Sequence, residues 1–201
     1  MDQNRIIVFV KNVVPGKVKT RLAKTLGNKE ALKVYVELLD ITKQAVLQLS
    51  VNKEVWYAWN VEQDDLWDEN EFNKRVQIEG DLGEKMSNAF KASFEEGMEK
   101  VILIGSDCPT LTGAIMEEAF NKLNENDVVF GPSKDGGYYL IGMSSYCPEV
   151  LTDIAWSTEE VMEQTEQRAK DHNLRLAKLE PLNDIDNETD WNEYLATKVD
   201  D

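Results

Sequence analysis

An α/β layered fold with a mixed sheet is what this sequence predicts, on three observations. Short β-branched runs alternate with longer stretches of helical periodicity. The run VILI at 101–104 holds no polar residue, as in a strand buried on both faces. Asp135, Gly136 and Gly137 lie between apolar runs at 128–130 and 138–142, a hairpin signal that places one antiparallel pair late in the chain. The 201 residues are 42% hydrophobic, enough for a sizeable core in one domain spanning 1–201.

RIIVFV at 5–10 is the first strand by its β-branched and aromatic content. The loop after it, KNVVPGKVKTR at 11–21, carries four lysines and arginines and no acid. Its place after the first strand makes it a candidate phosphate-gripping loop. It has neither a Walker A nor a G-x-G-x-x-G pattern, so cradling by glycine backbone is not the device. Residues 28–50 place Leu32, Tyr35, Leu38, Leu39, Thr42, Ala45, Val46 and Leu49 at helical spacing, a core stripe. Residues 53–59 alternate as a second strand. The acidic stretch 61–74, with Trp67 and Phe72 as anchors, is expected to form a short surface helix, and 76–78 a third strand. In EGDLGEKM at 79–86, Asp81 caps a helix and Glu84 completes a capping box, with Leu82, Met86, Phe90 and Phe94 on one stripe.

The chain is organised around VILIGSDCPTL at 101–111. Gly105 ends the apolar run, 106–109 forms a turn because Pro109 cannot continue a central strand, and Thr112 caps a helix at 112–124. Asp107 is thereby held at the carboxyl end of a buried strand, the edge where open α/β sheets bind ligands. A turn or cap role would also account for it. A strand at 127–130 leads into the hairpin, whose adjacent glycines permit close backbone approach. Ser157 with Glu160 fits a capping box for a helix at 159–171. His172, the only histidine, sits in a polar helix end and is assigned no catalytic or metal role. A last strand at 174–179 precedes DIDNETD at 184–190. Alternation points Asp184 and Asp186 the same way, so either can pair with Asp107 around a hard cation. Asn187 caps the closing helix.

The formal charge of −16 argues against nucleic-acid binding and makes an anionic ligand dependent on the basic loop, a divalent cation, or both. Cys108 and Cys147 have neither zinc spacing nor a disulfide framework and read as reduced core or turn residues. No apolar run spans a bilayer and the N-terminus is unlike a signal peptide, so a cytoplasmic protein is expected. The single poorly placed histidine leaves no Ser-His-Asp or Cys-His set.

Six blocks in order, PGKVKTRL at 15–22, GDLGEKM at 80–86, LIGSDCPTL at 103–111, GPSKDGGYYLIG at 131–142, WST at 156–158 and DIDNETDW at 184–191, resemble the bacterial DUF2064 family. That family is regarded as glycosyltransferase-like and falls in the nucleotide-diphospho-sugar transferase superfamily, beside phospholactate and molybdenum-cofactor guanylyltransferases. The resemblance implies a single GT-A-like domain with a mixed, mostly parallel sheet flanked by helices. It implies Mg²⁺ or Mn²⁺ held by Asp107 and Asp186. Lys11, Lys19 and Arg21 would contact nucleotide phosphates, with Asp81 and Gly83 on the nucleotide side. Asp135, Gly136, Gly137 and Trp156 would line the acceptor or sugar side, Asp135 being the candidate base. The partners implied are a nucleotide-sugar or nucleoside triphosphate and a small-molecule acceptor. The chain lacks the A-G-G-x-G-x-R loop of nucleotidyltransferases and offers S-D-C where many glycosyltransferases have D-x-D. Glycosyl transfer, nucleotidyl transfer and a non-catalytic nucleotide-binding module therefore stay open, though joint retention of Asp107, Asp186 and the basic loop speaks against the last. With two carboxylates facing each other, Asp107→Asn is expected to leave stability unchanged or to raise it.

Overall fold

The structure is a computed structural model that describes residues 3–199. Among the described residues seven strands form one sheet: β1 (Asn4–Val10), β2 (Asn52–Tyr57), β3 (Asn73–Val76), β4 (Lys100–Ile104), β5 (Val128–Pro132), β6 (Tyr138–Met143) and β7 (Leu176–Lys178), in spatial order β3-β2-β1-β4-β6-β5-β7. Every neighbouring pair is parallel except the two made by β6. The hairpin expected around 135–137 is thus the β5–β6 connection. Helices α1 (Thr20–Leu47), α2 (Leu82–Glu95), α3 (Gly113–Lys122), α4 (Val161–Asp171) and α5 (Glu188–Val199) complete the fold.

Alternation along β1 and β4 divides the core. Ile6, Val8, Ile102 and Ile104 pack on one face with Tyr35, Leu39 and Val46 of α1 and Met116 and Phe120 of α3. Ile7, Val101 and Leu103 pack on the other with Met86 and Phe90 of α2 and Ala169 of α4. The central apolar run is therefore covered on both sides, as a period of two with helices on each face requires. No helix among the described residues is long and apolar enough to cross a membrane.

Four local expectations need correction. Residues 61–74 form no helix. Asp65 accepts the Trp67 amide (3.0 Å) and the Lys74 ammonium (2.9 Å), and Asp68 accepts the Asn70 amide (2.9 Å). Short acidic side chains bonding nearby backbone offer it an alternative to a helix. Trp67 and Phe72 are anchors as expected, meeting edge-on at 4.9 Å. The third strand lies earlier than 76–78, because pairing with Glu54–Tyr57 of β2 uses Asn73–Val76. The first helix begins at Thr20 rather than 28, broken at Gly27 (φ 79°, ψ 160°), so Arg21 is helical and the basic loop ends at Lys19. The Ser157–Glu160 capping box does not form. Ser157 has φ 66°, Thr158 Oγ1 accepts the Glu160 amide instead (3.3 Å), and α4 starts at Val161.

Candidate active site

Asp107 follows β4 in a turn at the carboxyl edge of the sheet. Two contacts hold it. Its carbonyl accepts the Ile185 amide (2.8 Å), and its Oδ1 meets Lys19 Nζ at 2.7 Å. Lys19 also donates to the Ile185 carbonyl (2.6 Å), its side chain is only 5% exposed, and its backbone is left-handed (φ 46°). The basic loop is pinned at its other end by Tyr35, whose hydroxyl accepts the Lys11 amide (2.8 Å) and donates to the Lys11 carbonyl (2.9 Å).

The closing segment is oriented by Ile185, which is buried with Leu22, Leu38 and Trp191. Burying Ile185 turns both of its neighbours, Asp184 and Asp186, to the cleft, as alternation predicts. Arg21 Nη1 meets Asp186 Oδ2 at 2.8 Å. Asn187 caps α5, its Oδ1 accepting the amides of Thr189 (2.8 Å) and Asp190 (3.2 Å). On the hairpin, Asp135 Oδ1 accepts the Gly137 amide (3.1 Å) and the Ser133 hydroxyl, which fixes that carboxylate at the turn.

These side chains surround an open cleft of about 580 Å³ whose walls include Lys11, Lys19, Arg21, Asp107, Asp135, Gly137, Trp156, Asp184 and Asp186. A second chamber of about 420 Å³ shares Lys11, Lys19, Leu82 and Asp107 with it. Phe9, Val10, Val18, Tyr35, Gln77 and Lys85 line the rest of that chamber. Asp107 thus stands where an acidic outer cleft meets a more apolar inner one.

Residues 41–158 match the family described as an uncharacterized protein conserved in bacteria, DUF2064. The chain belongs to the DUF2064 family. A candidate nucleotide-diphospho-sugar transferase of Desulfovibrio desulfuricans G20, solved as a crystal structure, is 33% identical, with 98% of this chain and 88% of that one covered and a TM-score of 0.89. The 2-phospho-L-lactate guanylyltransferase of Methanocaldococcus vulcanius is 27% identical over 129 residues, 64% of this chain, and the match spans only 56% of that relative's length. A Methanothermobacter nucleotidyl transferase, 13% identical and covered over 96% of this chain and 98% of its own (TM-score 0.62), shares the fold alone. The GT-A-like fold of nucleotide-diphospho-sugar transferases, expected from the six blocks, is borne out.

Not every residue implied by the DUF2064 blocks lines the cleft. Asp81 serves the capping box, accepting the Glu84 amide (2.8 Å) while its own amide donates to Glu84 Oε2 (2.9 Å). Gly83 lies under Trp156: a Cβ there would stand 2.5 Å from the Leu151 carbonyl and 2.8 Å from the indole. Gly136 (φ 90°) packs against the Glu159 backbone, where a Cβ would come within 2.2 Å, and its carbonyl accepts the Met162 amide (2.9 Å). Packing alone thus explains both glycines. Gly83→Ala should displace Trp156 from the cleft wall and cost about 1–3 kcal/mol by overpacking. A melting curve checks the cost, and Trp156→Ala in the same background should recover part of it; additive losses from the two changes would show that they do not touch.

Two cleft residues stand out only in three dimensions. Asp184, weighed in sequence only as an alternative to Asp186, lies near Asp107, Asp135 and Asp186. Burial first, then the charges of Asp107 and Asp135, push its carboxyl up to about 7, with Lys19 opposing. Lys85 belongs to the GDLGEKM block but carries no signal beyond a helical position. Burial, with the Asp184 charge adding, pushes the Cys108 thiol up to about 12, away from the thiolate form that a nucleophile needs.

Among the described residues no three His, Cys, Asp or Glu side chains form a cage that would hold a metal unaided. The donor set nevertheless suits Mg²⁺ or Mn²⁺ held jointly with a phosphate-bearing ligand. Mg²⁺ in phosphate-handling sites is bound by one or two carboxylates, with substrate phosphates and water completing the shell. Here the carboxylates of Asp107, Asp184 and Asp186 line one cleft, with Asp135 and Glu159 on its walls.

Proposed function

We propose that this DUF2064 protein is a divalent-cation-dependent transferase acting on an activated nucleotide, with a nucleotide-diphospho-sugar as donor. The observation that carries this is the convergence of Asp107, Asp184 and Asp186 on the outer cleft at the carboxyl edge of the sheet, with Asp107 also lining the inner chamber. Asp107 and Asp186 would hold Mg²⁺ or Mn²⁺, with Asp184 beside them. Such a cation, when bound, offsets the negative charge that develops on a departing diphosphate.

The chain's own residues divide the remaining work. The inner chamber, floored by Phe9, Val10 and Val18, suits a nucleoside. The outer cleft sets Asp135, Asp184, Asp186 and Glu159 around Trp156 and Tyr138. Carboxylates accept hydroxyl hydrogen bonds and an indole covers the apolar face of a sugar ring, whereas a second phosphate would meet repulsion there. That balance favours a neutral, hydroxylated group in the outer cleft, which is the reason to place glycosyl transfer first. Asp135 Oδ2 has no hydrogen-bond partner among the described residues, which leaves it available to accept a proton from an acceptor hydroxyl.

Nucleotidyl transfer is the second reading, favoured by the guanylyltransferase relative. Product analysis decides between them. With Mn²⁺ and a panel of nucleotide-sugars and nucleoside triphosphates, free nucleoside diphosphate is expected. Release of pyrophosphate from a triphosphate would replace the first reading by the second, and nucleotide binding with no turnover of any donor would refute both.

A further inference from the structure

The cations of the cleft are not equivalent. Lys19 is buried against Asp107 and the Ile185 carbonyl, and Arg21 is paired with Asp186. Both therefore neutralise acids of the site. Lys11 and Lys85 also line the inner chamber, and neither ammonium has an ion-pair or hydrogen-bond partner among the described residues. Lys85 gains nothing from its own helix, since the first turn of α2 is the end at which a cation is disfavoured. Two unpaired ammonium groups facing one chamber, in a chain of net charge −16, form a local anion site where the rest of the molecule repels anions.

We propose that Lys85, together with Lys11, grips the phosphates of the nucleotide, and that Lys19 and Arg21 act as positioning residues that hold Asp107 and Asp186. The proposal rests on the nucleotide-binding reading above and changes which cations perform it. It adds Lys85, at the α2 edge of the inner chamber, and removes Lys19 and Arg21 from direct phosphate contact. A phosphate gripped by Lys11 lies where the two chambers adjoin, since Lys11, like Asp107, lines both.

Calorimetry on the full chain tests this, with inorganic pyrophosphate and with UDP, GDP, CDP and ADP as probes. Lys85→Gln should weaken pyrophosphate and the preferred nucleotide at least tenfold and leave the melting temperature unchanged. Lys85→Arg should stay within a few-fold of wild type. Lys19→Gln should lower the melting temperature while keeping pyrophosphate affinity within a few-fold. Wild-type affinity in Lys85→Gln would overturn the proposal, as would a Lys19→Gln protein that melts normally and has lost pyrophosphate. Wild-type protein that binds pyrophosphate but no nucleotide would refute the nucleotide reading and leave the Lys85 site standing. Binding of neither probe would overturn both.

Discussion

Asp107→Asn is expected to lower transfer activity at least about a hundredfold, the scale on which removing one fixed electrostatic stabiliser acts, and also to lower the melting temperature. The activity loss follows from the proposed cation site: Asn keeps the shape and can still accept turn hydrogen bonds, but lacks the charge a hard cation needs. The stability loss reverses the expectation drawn from facing carboxylates. Asp107 does not stand against an unscreened acid alone. Its Oδ1 is 2.7 Å from Lys19 Nζ, on a side chain only 5% exposed. Removing the partner of a buried charge leaves that charge poorly compensated, and a charge-assisted hydrogen bond is worth about 1.5–3 kcal/mol. Half-exposure of Asp107 lets water replace part of the lost interaction, which places the expected cost near the lower end. The measurement is paired: melting in EDTA, and turnover with Mn²⁺ and the preferred donor. Wild-type turnover in the variant would refute the metal role, and wild-type melting would refute the Lys19 pairing.

Asp184→Asn should do the opposite to the fold. With its carboxyl pushed from 3.8 up to about 7 by burial and by neighbouring acids, Asp184 binds a proton more tightly folded than unfolded. Above about pH 7 it is ionised in both states and the folded protein bears the full cost of that charge. As pH falls towards 3.8 the folded form takes up the proton first, and the cost disappears. Each pKa unit corresponds to about 1.4 kcal/mol, so the burden at pH 8 is on the order of a few kcal/mol. In EDTA, Asp184→Asn should melt above wild type at pH 8, and the gap should narrow steadily down to pH 4.5. Asn suits the position, since Asp184 accepts no hydrogen bond that the exchange would break among the described residues. A gap of the same size at both pH values would show that the carboxyl is not shifted.

Sequence alone determined the parts of this protein that depend on local pattern. The VILI run specified a strand covered on both faces because nothing in it tolerates water, and the structure buries it between two helix layers. The capping box at Asp81 and Glu84 and the caps at Thr112 and Asn187 were legible because each is closed within three residues. The turn at Asp135 was legible for the same reason. Asp107 was found because a polar residue directly after a buried strand must lie at the sheet edge. Six blocks in fixed order carried the family. The tertiary structure alone decided what the charges do. Lys19 and Asp107 are 88 positions apart in sequence, and Arg21 and Asp186 are 165 apart, so no spacing rule joins them. The basic loop looked free to meet a phosphate because its lysines and arginine have no acid among their sequence neighbours. Folding supplies the acids from the turn after β4 and from the closing segment. Asp184 likewise becomes unusual only when it is buried and Asp107 and Asp135 are brought to it, and Lys85 becomes a candidate phosphate contact only because the other cations beside Asp107 and Asp186 are paired. Local backbone preferences act through near neighbours, and those a sequence displays. Charge compensation acts through whatever the fold brings within a few ångströms, and the order of residues does not record it.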